Sequence, residues 1–194
     1  MNVFSALGAV LGTGFSSGLN LYATILTLGL LQRFHVINLP QPLQVVAHPW
    51  VLGIAATLYF IEFFADKIPY VDTLWDAVHT FIRPPAAALL AYASTGAVAP
   101  EWHWGAALLA GGVALTSHSA KASTRAAINT SPEPFSNWTL SFGEDLLAVW
   151  LTWMATAHPL AATIVVGALL ILAAVLIYYL FRFARQAFHK LSTA

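Results

Sequence analysis

Charge is nearly absent from most of this chain, and the gaps between charged residues are long. No Asp, Glu, Lys or Arg occurs from Met1 to Gln32, Phe34 to Ile61, Pro84 to Pro100, Trp102 to Ala120 or Leu146 to Phe181. A bilayer-crossing helix needs about 20 mainly apolar residues, and these runs are long enough to supply such helices. Eight basic and eight acidic residues serve all 194 positions, with 59% hydrophobic residues and a mean hydropathy of +0.73. A soluble domain spends about a quarter of its residues on charge. This composition therefore argues against a soluble enzyme, a disordered chain and a nucleic-acid-binding partner role. It predicts an all-α integral membrane protein surrounded by membrane lipids. The absence of cysteine removes disulfides, thiolate metal sites and thiol catalysis. With no basic region before the first apolar stretch and no clear small-residue cleavage site, that stretch reads as a first helix, not a signal peptide.

The apolar runs divide into six predicted transmembrane segments, 4–32, 50–66, 83–98, 104–127, 141–157 and 160–182, in one polytopic domain spanning 1–194. Pro84, Pro85 and Pro159 suit first-turn positions, where a missing N–H costs little. Ser141-Phe-Gly-Glu144 has the capping-box pattern and predicts the start of the fifth segment. Six spans place Lys67, Arg83, Lys121, Arg125, Arg182, Arg185 and Lys190 on one side and Arg33 on the other. Basic loops stay inside, so that side reads as cytoplasmic, with both termini there and the inner (cytoplasmic) membrane as location. Trp50, Trp102 and Trp104 then fall at the outer interface, and Trp75 and Trp138 at the inner one.

The first segment contains Gly12-Thr-Gly14-Phe-Ser-Ser-Gly18, and glycine weakens a helix by about 1 kcal/mol relative to alanine. Two readings are open: close helix packing, or a functional break whose freed backbone groups line a polar cavity. The fourth segment carries its own polar stretch, Thr116 to Arg125. Laying Gly8–Ile25 on Gly111–Ile128 matches Gly8/Gly111, Val10/Val113, Thr13/Thr116, Ser16/Ser119, Ala23/Ala126 and Ile25/Ile128. The match predicts two inverted three-helix repeats, about 1–99 and 100–194, with broken first and fourth helices.

Val71, Leu74, Trp75, Val78 and Ile82 recur at helical spacing opposite Asp72, Asp76 and His79, which predicts a short interfacial amphipathic helix. Its polar face has three readings: solvated, salt-bridged to the other half, or holding a cation or proton. Glu62 and Asp66 share a helix face at i, i+4, and a carboxylate at membrane depth is costly enough to make Glu62 the leading titrating candidate. Lys121 and Arg125 are also i, i+4, with Glu144 and Asp145 opening the next segment. These groups, with His118 one turn before Lys121, form a static clasp, a gate or a binding site. No catalytic residue, cofactor motif or nucleophile elbow stands out.

The series Glu62-x-x-x-Asp66-Lys-Ile-Pro69-x-x-Asp72-x-x-Trp75-Asp76-x-x-His79-Thr-x-x-Arg83-Pro84 is followed by Ala120-Lys-Ala-x-Thr-Arg125-x-x-x-Asn129-x-Ser131 and Ser141-x-x-Glu144-Asp145. Together they resemble the bacterial membrane family called domain of unknown function 4126. The resemblance runs from Gly18 to the last helix and implies an integral membrane protein of about six helices, with no particular activity. The functional expectation is a small transporter or channel for an ion or small polar solute, proton- or cation-coupled. Glu62, Asp66, His118, Lys121, Arg125, Glu144 and Asp145 would lie on its pathway. Six short helices enclose little interior, so a homo-oligomer is expected. The rival readings are a lipid-binding or scaffold protein seated on Lys121 and Arg125, and a membrane-embedded lipid enzyme using Asp72, Asp76 and His79 with a metal.

Overall fold

The computed structural model describes residues 3–95, 100–130 and 134–192, with side chains over 4–95, 100–130 and 135–186. Every regular element among them is helical. In order they are α1 Val3–Leu19, α2 Leu21–Arg33, a 3₁₀ turn Gln41–Ala47, α3 Pro49–Ala65, α4 Val71–His79, α5 Arg83–Ser94, α6 Glu101–Ile128, α7 Pro134–Ala157 and α8 Pro159–Ser192. Proline opens α3, α7 and α8 and sits second in α5, where its fixed φ suits the first turn and its missing N–H would have no intrahelical partner. Glu133 and Ser131 lie outside the described residues, as does the Lys190 side chain.

Side-chain contacts fix the helix directions. Arg83, at the start of α5, donates to Gly18 O near the end of α1, while Ala91 packs on Val10, so α5 runs antiparallel to α1. α6 reverses again, with Gly111 facing Pro84 and the Tyr92 ring against His103 and Trp104. α1 and α6 thus run the same way: Gly14 faces Ala110, and Phe15 O and Leu19 O accept from Ser117 and Lys121. α7 descends along α1 through Gly12/Ala155, Ser16/Thr152 and Asn20/Asp145, and α8 turns back with Pro159 against Gly8. α1, α3, α6 and α8 therefore end where the charged residues gather, here called the charged end.

Several expectations need correction. Segment 4–32 is two helices, because Asn20 leaves the helical region at φ −150, ψ 102 and caps α2 by accepting from Ala23 N. α2 then runs away from the charged end: Tyr22 reaches His79, whereas Leu28 packs with Leu39, Leu43 and Val46 against Leu90 and Ala93. Gly12, Gly14 and Gly18 do not break α1. They lie within it at close helix contacts, where a Cβ would strike Ala155, Ala110 and Ser117 respectively. α6 is likewise unbroken over its 28 residues. The match of Gly8–Ile25 with Gly111–Ile128 pairs α1 with α6, and their parallel contacts remove that match as support for an inverted repeat. The reversal at Asn20 also places the start of α1 and the end of α8 at opposite ends of the bundle. α7 begins at Pro134, and Ser141 lies inside it, accepting from Lys67 Nζ at 3.1 Å and not capping.

Among the described residues one stretch, Pro159–Gln186 of α8, is by itself long and apolar enough to cross a membrane, and the 3₁₀ turn with α3 qualifies as a pair bent by 60°. The burial pattern reverses that of a soluble protein. Arg83, Arg125 and Glu62 are fully buried, while Phe81, Leu108, Trp50 and Ile164 are each more than 75% exposed. Trp50, Trp102, Trp104 and Trp138 are exposed near the helix ends, but Trp75 turns inward and stacks on His79 at 4.5 Å. The α1 glycines give a direct test of packing. Gly8→Ala must displace the Pro159 backbone and is expected to cost about 1–3 kcal/mol. Gly112→Ala, with nothing within 4 Å, should stabilise by about 0.5–1 kcal/mol. Thermal unfolding in detergent that ranks the two the other way would refute the α1–α8 contact.

Candidate functional site: a buried charge network

The site begins with the break in the first segment. Ending α1 at Leu19 leaves C-terminal carbonyls without helical donors and concentrates negative dipole there. Two cations fill the need: Arg83 Nη1 donates to Gly18 O at 3.1 Å and Lys121 Nζ to Leu19 O at 3.1 Å. At the adjoining N-terminus of α2 the polarity reverses, and Asn20 Nδ2 holds the Asp145 carboxylate at 2.8 Å. One residue out of helical conformation thus organises opposite charges on either side of itself.

Around this break the three buried cations, carried by α5 and α6, bridge to α3, α4 and α7. Arg83 pairs with Glu62 at 2.9 Å and Asp76 at 3.3 Å. Lys121 pairs with Asp66 at 2.6 Å, Glu144 at 3.4 Å and Glu62 at 3.6 Å. Arg125 pairs with Glu144 at 2.6 Å, reaches Asp72 at 3.8 Å and donates to the backbone carbonyls of Asp66 and Asn137. Asn129 donates to Asp72 at 2.7 Å and accepts from Asn137 at 3.0 Å. The pathway candidates Glu62, Asp66, His118, Lys121, Arg125 and Glu144 are therefore one connected group, with Asp145 tied in through Asn20.

α4 forms as expected, but its polar face is not solvated. Asp72, Asp76 and His79 are buried, and the apolar Leu74 and Val78 face outward. A left-handed Tyr70, φ 70, swings the chain into this orientation. The three polar residues separate toward different partners: Asp72 to Asn129, Asp76 to Arg83, His79 to Tyr22. Among the described residues no three His, Asp or Glu converge as metal ligands.

Hydrogen-bond partners assign the histidine protons. Arginine only donates, so His118 Nδ1 accepts from Arg83 at 2.8 Å and its Nε2–H faces Asp76 O at 3.0 Å. His79 donates from Nδ1 to Trp75 O at 2.8 Å and accepts at Nε2 from the Tyr22 hydroxyl at 2.9 Å. Burial pushes the His79 pKa down to about 4. The unfolded imidazole takes up its proton near 6.5, so the folded state binds fewer protons between those values. His79 thus contributes stability that is complete above about pH 6.5 and declines as pH falls toward 4. Melting temperatures from pH 7.5 to 5 should fall further for the wild type than for His79→Gln, and parallel curves would contradict the assignment.

Charge in this interior does not balance. Glu62, Asp66, Asp72, Asp76, Glu144 and Asp145 face Arg83, Lys121 and Arg125, with Lys67 half-buried at the rim. Asp66 Oδ1 and Asp76 Oδ2 lack a hydrogen-bond donor. Sequence reasoning missed the central role of Arg83, whose place in the motif beside Pro84 was the available signal. It also missed Asn20, one of several polar residues within the first charge-free run, together with Tyr22, Asn129 and Asn137.

The family model described as a domain of unknown function, DUF4126, matches residues 7–179, and the chain belongs to that family. No curated protein and no solved structure matches it.

Proposed function

We propose that the protein is embedded in a membrane and moves an ion or small polar solute across it, using the buried network as its coupling element. The observation that carries this reading is the surplus of carboxylates over basic groups inside an apolar-coated bundle. Buried charge persists only when paired, hydrated or neutralised. Six carboxylates facing four cations leave room for a transported proton or cation to complete the balance. Binding and release of that species change which pairs are favoured, which is the requirement for a gate. In this reading α1, α2, α3, α5, α6, α7 and α8 lie at membrane depth and α4 lies along the charged end. That end faces the cytoplasm of a bacterial inner membrane, since Lys67, Arg182 and Arg185 cluster there and Arg33 lies opposite.

The rival readings lose their named sites. Lys121 and Arg125 have fully buried side chains, so no lipid headgroup reaches them without opening the network. Asp72, Asp76 and His79 diverge, which leaves a lipid enzyme without a converging donor set. Flux into liposomes for a panel of protons, alkali cations and small polar solutes tests the proposal. Wild type should support flux of at least one species, and Glu62→Gln should reduce it at least tenfold. A folded wild type inert to the whole panel would remove the transport reading.

A further inference from the structure

A cavity of about 510 Å³ opens at the end opposite the charges. Its lining includes Ser5, Thr13, Ser94, Trp153 and Thr156, with Asn38 among the residues after α2. No Lys, Arg, His, Asp or Glu lines it among the described residues. Three of its hydroxyls share one geometry: Thr13 donates to Ala9 O, Ser94 to Ala91 O and Thr156 to Trp153 O. A hydroxyl that spends its proton on its own helix offers only lone pairs to a guest.

The same pattern continues inward between α1 and α7. Ser16 donates to Gly12 O, and Thr152 bonds both Ala148 O and Ser16 Oγ, the latter at 3.0 Å. Next come Ser17, whose fully buried Oγ has no partner, and the Asn20–Asp145 pair. From Thr13 to Asn20 along α1 is about 10 Å. Hydroxyls therefore follow one another from the cavity floor towards the carboxylates, with Ser16 Oγ, whose proton goes to Gly12 O, left as an acceptor. Such a lining supplies oxygens that replace water around a cation, and they outnumber its side-chain donors, the Asn38 amide and the Trp153 indole N–H.

Taking the transport reading as its basis, we infer that this cavity is an entry vestibule selective for monovalent cations, hydronium included, and that Thr13, Ser16 and Thr152 lead them to the carboxylates around Asp145. The chain has no cysteine, so single-cysteine variants report cleanly. Thr156→Cys and Ser94→Cys line the cavity, and Gln41→Cys, exposed near the same end but outside it, serves as reference. In liposomes the cationic trimethylammonium-ethyl thiosulfonate is expected to react faster than the anionic sulfonatoethyl reagent. The rate ratio at Thr156→Cys or Ser94→Cys should exceed that at Gln41→Cys at least tenfold. A ratio equal to or below the Gln41→Cys value overturns the inference, as does no reaction at either cavity position while Gln41→Cys reacts. Thr152→Val tests the route beyond the vestibule: flux should fall at least fivefold while both labelling ratios stay unchanged, and undiminished flux overturns the route. Uptake driven by a pH gradient alone identifies hydronium, and uptake driven by a sodium or potassium gradient identifies an alkali cation. Selective labelling with no flux of any species refutes transport while leaving the cation-selective cavity standing, so the two failures are distinguishable.

Discussion

Arg83→Met should destabilise the protein by about 3–5 kcal/mol, the usual cost of removing one partner from a buried ion pair. Arg83 is fully buried, with Glu62 at 2.9 Å, Asp76 at 3.3 Å, His118 Nδ1 at 2.8 Å and Gly18 O at 3.1 Å. Methionine fills much of the volume but leaves two carboxylates without their nearest cation and a helix-end carbonyl without its donor. Adding Glu62→Gln should return part of the loss, because one stranded charge disappears, and the double variant should be more stable than the sum of the singles. Unfolding in mixed micelles supplies both numbers. Strict additivity would mean that Arg83 and Glu62 do not act as a pair.

Arg125→Ala should cost a similar 3–5 kcal/mol, but locally. Its guanidinium ties α6 to the first turns of α7 through Glu144 and Asn137, and to the end of α3 through Asp66 O. Hydrogen exchange should therefore rise over residues 135–145 while α5 and the first half of α6 keep their protection. Arg125→Lys retains the charge without the forked donors, and should recover less than half of the loss. Uniform loss of protection would instead make Arg125 a part of the global core. Asn20→Ala is a smaller third case: losing the α2 cap costs about 1 kcal/mol. Stranding Asp145 adds about 1–3 kcal/mol, and Asn20→Asp should be worse than Ala because it faces that carboxylate.

The sequence made the helical class legible because its charge-free runs admit little else, and α3, α4 and α6 lie close to where spacing and proline placed them. Chain direction was not legible. Hydropathy treats residues 4–32 as one span, and nothing in an apolar average registers that a single asparagine can cap one helix and reverse the chain. That reversal sets α1 parallel to α6 and removes the inverted pairing of those two helices. The three glycines of α1 illustrate the same limit, since glycine reads alike at a break and at a close contact. The site was legible as a list of charges, because each carboxylate or base in a membrane-like composition is costly. Its connectivity was not, because the partners are distant in sequence: Lys121 meets Asp66 and Asn20 meets Asp145. For α4, an amphipathic pattern reports two faces but not which of them meets the protein. Composition decides that here, since an apolar exterior suits lipid and the polar face must then turn inward.

The network, the vestibule and the proposed transport depend on one arrangement, with charges inside and apolar side chains against lipid. Tryptophan emission from the protein in liposomes tests it directly, using brominated phosphatidylcholine as a lipid-phase quencher and acrylamide as an aqueous one. Of the seven tryptophans, Trp50, Trp102, Trp104, Trp138, Trp150 and Trp153 are each at least 40% exposed. The expected result is that brominated lipid removes most of the emission and acrylamide removes little. Emission quenched by acrylamide and untouched by brominated lipid would place the apolar surface in water or against protein, and would contradict the account.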